Sequence, residues 1–149
     1  TLMGCGNASA KDASPAADAS PADDIETLRK AAEAGDAAAQ FKLGVRYDKG
    51  EGVPKDVAQA VFHFRQACEG GEMTGCRNLG VMYANGAGVP KNDAQGAAYF
   101  RQACEGGEMT GCLNLGVMYA NGFGVPQDEA KARVYFGQAC SGGLAAACQ

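Results

Sequence analysis

Residues 72–107 read EMTGCRNLGVMYANGAGVPKNDAQGAAYFRQACEGG, and residues 108–143 read EMTGCLNLGVMYANGFGVPQDEAKARVYFGQACSGG. Between them 25 of the 36 positions hold the same residue. Residues 36–71 form a more diverged copy, since Leu43-Gly44, Tyr47, Gly50, Gly52-Val53-Pro54 and Phe64 recur 36 and 72 positions later. A unit repeating at this length cannot bury its apolar face alone and must stack on its neighbours. The period therefore predicts a solenoid before any local pattern is read.

Within one unit, Met73, Cys76, Leu79, Gly80 and Tyr83 fall on one helical face, which predicts a first helix, A, over 72–84. Asn85-Gly86-Ala87-Gly88-Val89-Pro90 ends it: the first glycine suits a left-handed C′ position, and proline cannot continue the helix. Asn92, with Asp56 and Asp128 at the same place in the other units, offers a side chain suited to capping a second helix, B. Ala94, Ala97, Ala98, Phe100, Ala103 and Cys104 form the apolar stripe of helix B, and Gly106-Gly107 ends it. A glycine inside a helix costs roughly 1 kcal/mol against alanine. Its recurrence at 44, 80 and 116 suggests that the missing side chain lets antiparallel helices approach closely.

Six of the seven cysteines form three pairs of identical spacing, Cys68 with Cys76, Cys104 with Cys112 and Cys140 with Cys148, which leaves Cys5 over. The first of each pair lies in the last turn of helix B and the second in the first turn of the next helix A. A chain reversing between them brings the sulfurs together, so disulfides 68–76, 104–112 and 140–148 are predicted. Each contributes about 2–3 kcal/mol on the chain-entropy account. Six cysteines allow roughly 15 connectivities, and metal binding is the other alternative. The pairs, however, lack the short Cys-x-x-Cys hairpin typical of zinc sites. Ala32 and Gln40 stand at the corresponding places of the first unit, which should make the N-terminal end more labile. Even pairing in a small chain points to an oxidising compartment, periplasmic or secreted.

Residues 6–23, GNASAKDASPAADASPAD, hold no large apolar side chain and read as a flexible tether. From Ile25, Leu28, Ala31 and Ala32 a helical pattern begins, so a capping helix over 24–34 is expected to open a repeat domain spanning 24–149. Residues 144–149 stop within what should be the next helix A, so either the terminal cap is incomplete or the chain is a fragment. A net charge of −4 with no basic run gives no footprint for a phosphate backbone, so nucleic acid is not an expected partner. No apolar stretch approaches the ~20 residues that span a bilayer.

The unit GCxNLGVMYANGxGVP, an alanine-rich second helix and YFxQACxGG together resemble the Sel1-like repeat, and specifically its disulfide-bridged branch, the Helicobacter cysteine-rich proteins. The resemblance covers about 24–148. It implies an all-α fold, an α/α right-handed superhelix related to the tetratricopeptide array, and a role in protein–protein interaction. It also carries an association with penicillin binding and β-lactamase activity, which makes β-lactam or peptidoglycan-fragment binding the alternative function. Leu2-Met3-Gly4-Cys5 resembles a bacterial lipobox, with Cys5 as the lipidated residue and the preceding signal segments trimmed. The chain would then meet a membrane only through a lipid on Cys5.

No catalytic constellation is found. No Ser-x-x-Lys surrounds Ser9, Ser14, Ser20 or Ser141, and His63, the one histidine, stands where the other units carry Tyr99 and Tyr135, as an aromatic filler. Neither a metal site nor a cofactor is expected. Projected at about 100° per residue, helix A sets Asn78, Val81, Met82 and Asn85 opposite its packed side. Their equivalents are Asn114, Val117, Met118 and Asn121 in the third unit and Lys42, Val45, Arg46 and Lys49 in the first. In a superhelix these stripes would line the concave groove. Asparagine amides suit an extended peptide backbone, methionine adapts to apolar side chains, and the basic end suits a carboxylate. Asn85 and Asn121 also directly precede a helix-ending glycine and suit a capping or turn role. The expected function is an extracytoplasmic, monomeric scaffold that holds a peptide or protein at the cell envelope.

Overall fold

The computed structural model describes residues 24–149. Cys5, its lipobox-like context and the 6–23 segment lie outside the described residues. The described chain is helical: α1 (Ile25–Glu33), α2 (Ala37–Lys49), α3 (Val57–Glu69), α4 (Met73–Asn85), α5 (Asp93–Glu105), α6 (Met109–Asn121) and α7 (Glu129–Ser141), closed by a 3₁₀ turn at Ala145–Ala147. No strand occurs among the described residues. Each helix packs on the next in sequence, from α1 on α2 to α7 on the 3₁₀ turn. The architecture is therefore a linear stack of helical hairpins, α2/α3, α4/α5 and α6/α7, preceded by the capping helix α1.

Helix boundaries follow local chemistry. Asp56, Asn92 and Asp128 accept hydrogen bonds from the backbone N–H of Gln59, Gln95 and Lys131, three residues on, and so cap α3, α5 and α7. Glu72, accepting from the Thr74 N–H, and Glu108, accepting from the Gly111 N–H, cap α4 and α6, each of which starts one residue later than the pattern suggests. The left-handed Gly86, at φ 68°, ends α4 and donates its N–H to the Met82 carbonyl.

Close approach is set by glycine. An added Cβ at Gly80 would lie 2.7 Å from ring carbons of Phe100, and Gly44 against Phe64 and Gly116 against Phe136 repeat the arrangement. Each phenylalanine ring of a helix B thus brings its Cδ1 and Cε1 carbons against bare backbone of its own helix A. The core is a series of clusters, not one centre. Ala60, Val61, Phe64, Leu79 and Met82 join the first hairpin to the second; Ala97, Phe100, Leu115, Met118, Tyr119 and Ala132 join the second to the third. Phe64 and Leu79 are essentially inaccessible, and burial of side chains this size stabilises by about 1.5–3 kcal/mol each.

The structure carries disulfides Cys68–Cys76, Cys104–Cys112 and Cys140–Cys148, with Cα separations of 4.6, 4.5 and 4.8 Å. Each spans the turn from a helix B to the helix that follows it. At the corresponding place in the first unit the Gln40 side-chain amide donates to the Ala32 carbonyl at 3.1 Å and is buried. A hydrogen bond therefore stands where the other turns have a covalent link.

Candidate functional site

On the helix-A side the structure brings part of the expected stripe together. Val81, Ala84 and Asn85 of α4 meet Asn114, Val117 and Met118 of α6 around a shallow depression of about 190 Å³. Val81 and Val117 are 36% and 39% exposed and lie together, so the depression carries an apolar surface. Among the described residues no side-chain hydrogen bond engages Asn78, Asn85 or Asn114. Asn121 differs: its amide donates to the Val117 carbonyl at 2.9 Å and so serves the end of its own helix. Lys42 and Arg46 line a separate depression of about 250 Å³ with Phe41 and Val45.

Of the two methionines, Met118 joins the expected surface and Met82 does not. Met82 is 7% exposed and belongs to the core cluster with Ala60, Val61 and Phe64 of α3. Met118 is 5% exposed and reaches the surface only as floor of the Asn114 depression. The cause is geometric. Helix α4 is packed by α5 of its own hairpin and by α3 of the preceding one, so its buried arc is wider than a single-faced projection allows. Asn78, Val81 and Asn85 remain on the accessible side, all at least partly exposed.

A second feature escaped the sequence reading. Tyr83 stacks on Tyr99 at 5.6 Å between centroids, and Tyr119 on Tyr135 at 5.7 Å. An arginine from the preceding helix B closes each stack, with Arg65 donating to the Tyr83 hydroxyl and Arg101 to that of Tyr119, both at 2.7 Å. Burial works against the Arg65 charge, but the hydrogen bonds it donates to the Tyr99 and Tyr83 hydroxyls outweigh it and hold its pKa above the ordinary value. Arg101 is held the same way by Tyr135 and Tyr119. The signal was present as an arginine at 29, 65 and 101 with an aromatic pair 18 and 34 residues later.

In the first unit this arrangement is altered. His63 replaces the second tyrosine and stacks on Tyr47 at 5.5 Å, so the aromatic-filler reading holds, while Arg29 reaches the Tyr47 hydroxyl only at 3.4 Å. Burial pushes the His63 pKa below its ordinary value, the Gln66 side chain opposes that, and the Arg29 charge adds to the lowering. Its Nδ1 is buried without a hydrogen-bond partner. A cavity of about 510 Å³ opens here between α1, α2 and α3.

Among the described residues no cluster of three or more His, Cys, Asp or Glu side chains is placed to hold a metal ion. No helix there is long and apolar enough to cross a membrane.

Comparison with known proteins agrees with this architecture. The Sel1 repeat family model matches residues 37–72, 74–108 and 110–144. No curated protein matches significantly. Among solved structures, the chain is similar to a protective antigen present in uropathogenic Escherichia coli strains that displays an SLR fold, at 40% identity and TM-score 0.81 over 83% of this chain and 27% of that one. A Sel1 repeat protein from Oxalobacter formigenes is 32% identical, with TM-score 0.79 over 83% of this chain and 51% of that one. Helicobacter pylori cysteine rich protein B aligns over 97% of this chain and 96% of its own, at 28% identity and TM-score 0.67. The chain thus spans about a quarter and about half of the first two proteins.

Proposed function

The chain belongs to the Sel1-repeat family, and from that premise we propose that it is an extracytoplasmic adaptor that holds a peptide or protein on the helix-A side of its stack. The observation that carries this reading is the depression lined by Asn85 and Asn114 around the exposed Val81 and Val117, with Asn78 on the same helix as Asn85; among the described residues none of these three amides makes a hydrogen bond. Unengaged amides beside exposed valines are what an extended segment needs: backbone partners at a regular interval and apolar contacts between them. Lys42 and Arg46 place cationic side chains at one end. Sel1-repeat proteins generally mediate protein–protein interactions, which agrees with this use of the surface.

The extracytoplasmic setting is supported by the three disulfides, because such bonds persist in oxidising compartments. Tethering by a lipid on Cys5 belongs to the same proposal and is tested by the intact mass of the chain expressed from its full precursor. The groove is tested by Asn78→Ala/Asn114→Ala. Affinity for a captured peptide is expected to fall at least about tenfold, the loss of one or two net hydrogen bonds at each site, with the melting temperature unchanged. Equal affinity in the double variant removes the groove.

A further inference from the structure

We propose that the cavity between α1, α2 and α3 is a second binding site, on a different part of the molecule from the adaptor surface, and that it takes a small planar monocarboxylate such as an aromatic acid. At about 510 Å³ it has the size of a small-molecule pocket, and Arg29, Gln40, Tyr47, Phe62, His63 and Gln66 contribute to its wall. The planar preference follows from the Tyr47–His63 stack, which is nearly parallel at 10°, and from Phe62 set edge-on to His63 at 74°. A wall built of three aromatic rings favours a planar aromatic guest, which can stack on them or meet them edge-on.

The carboxylate preference follows from Arg29. The matching arginines, Arg65 and Arg101, are each drawn against the two tyrosine hydroxyls of the unit that follows. Here the second hydroxyl is missing because His63 stands in its place, the remaining contact is 3.4 Å, and the other partner is Glu26 in an exposed pair one turn away. Such a pair is weak, and an incoming carboxylate can displace it and take the guanidinium in two-pronged fashion. Among the described residues Arg29 is the only arginine or lysine in the wall, and Glu33, also in the wall, disfavours a second negative charge on the guest. The corresponding depression in the third unit, about 540 Å³ and lined by Cys104, Met109, Tyr135 and Gln138 among others, has no arginine or lysine in its wall among the described residues. Carboxylate recognition is thereby confined to the first unit.

His63 is the only histidine in the sequence, so its imidazole C–H resonances report on this site without ambiguity. Benzoate titrated into the full chain at neutral pH is expected to shift them saturably, and benzamide, the same ring without the charge, is expected to bind at least about tenfold more weakly. By calorimetry Arg29→Gln should lose at least about tenfold in benzoate affinity. His63→Tyr, which restores the residue of the other units, should abolish binding while leaving the melting temperature unchanged or raised. A non-saturating response, equal binding of benzamide and benzoate, or unaltered benzoate affinity in either variant would overturn the proposal.

Discussion

Replacing Ala32 and Gln40 with cysteine should install the staple that the first unit lacks. The turn is already shaped for it. Gly35 sits at φ 95°, as Gly71 does at 95° and Gly107 at 94°, and Gly35 donates to the Ala32 carbonyl at 3.0 Å just as Gly71 and Gly107 donate to those of Cys68 and Cys104. Asp36, Glu72 and Glu108 then donate to the residue-31, 67 and 103 carbonyls at 3.0, 2.9 and 2.9 Å. With the backbone superposable on turns that hold their Cα atoms 4.5–4.6 Å apart, the new bond closes without distortion. For a loop of about nine residues, chain entropy gives about 2.5 kcal/mol. The Gln40–Ala32 hydrogen bond is lost at a cost of about 1 kcal/mol. The net gain of about 1.5 kcal/mol corresponds to a rise of roughly 5 °C for a domain of this size. Differential scanning calorimetry with and without reductant measures it, and amide exchange should show the added protection concentrated in α1. A variant whose mass shows both new thiols oxidised, yet melts at or below the parent temperature, would refute the claim that the first turn is geometrically equivalent to the others.

Two glycine substitutions should act in opposite directions: Gly80→Ala meets the Phe100 ring and is expected to lose about 1–2 kcal/mol despite better helix propensity, whereas Gly137→Ala, with nothing within 4 Å, should gain about 0.5–1 kcal/mol. Urea denaturation of both variants checks this, and equal effects would contradict the close-approach account. Because the folded state lowers the His63 pKa below the ordinary 6.5, unfolding takes up a proton at acid pH. That contribution to stability is present above pH 6.5, is lost as pH falls towards the lowered folded value, and should vanish in His63→Tyr. Denaturation midpoints from pH 7.5 to 5, compared between the two proteins, measure it.

Most of the fold was legible because repetition multiplies weak signals. One mid-helix glycine says little, but Gly44, Gly80 and Gly116 followed each time by a phenylalanine 20 residues later pin a specific helix-on-ring contact. The disulfide positions followed from the same register. Met82 was misplaced because a helical projection assumes one packed face, whereas a helix inside a stack is covered by its own partner and by the preceding hairpin. Met82, three residues beyond Leu79, falls on that second contact. The arginine–tyrosine closures were missed for a different reason. Arg65, Tyr83 and Tyr99 belong to three successive helices, so no local window holds the set.

The central claim is that a stack of covalently stapled hairpins presents its helix-A side to a partner. It is tested most directly by amide chemical-shift mapping of a peptide selected from a displayed library on the oxidised chain. The account predicts the largest shifts at Asn78, Val81, Asn85, Asn114 and Val117. A footprint centred on the outward residues of α3 and α5, such as Gln59 and Ala98, would contradict it.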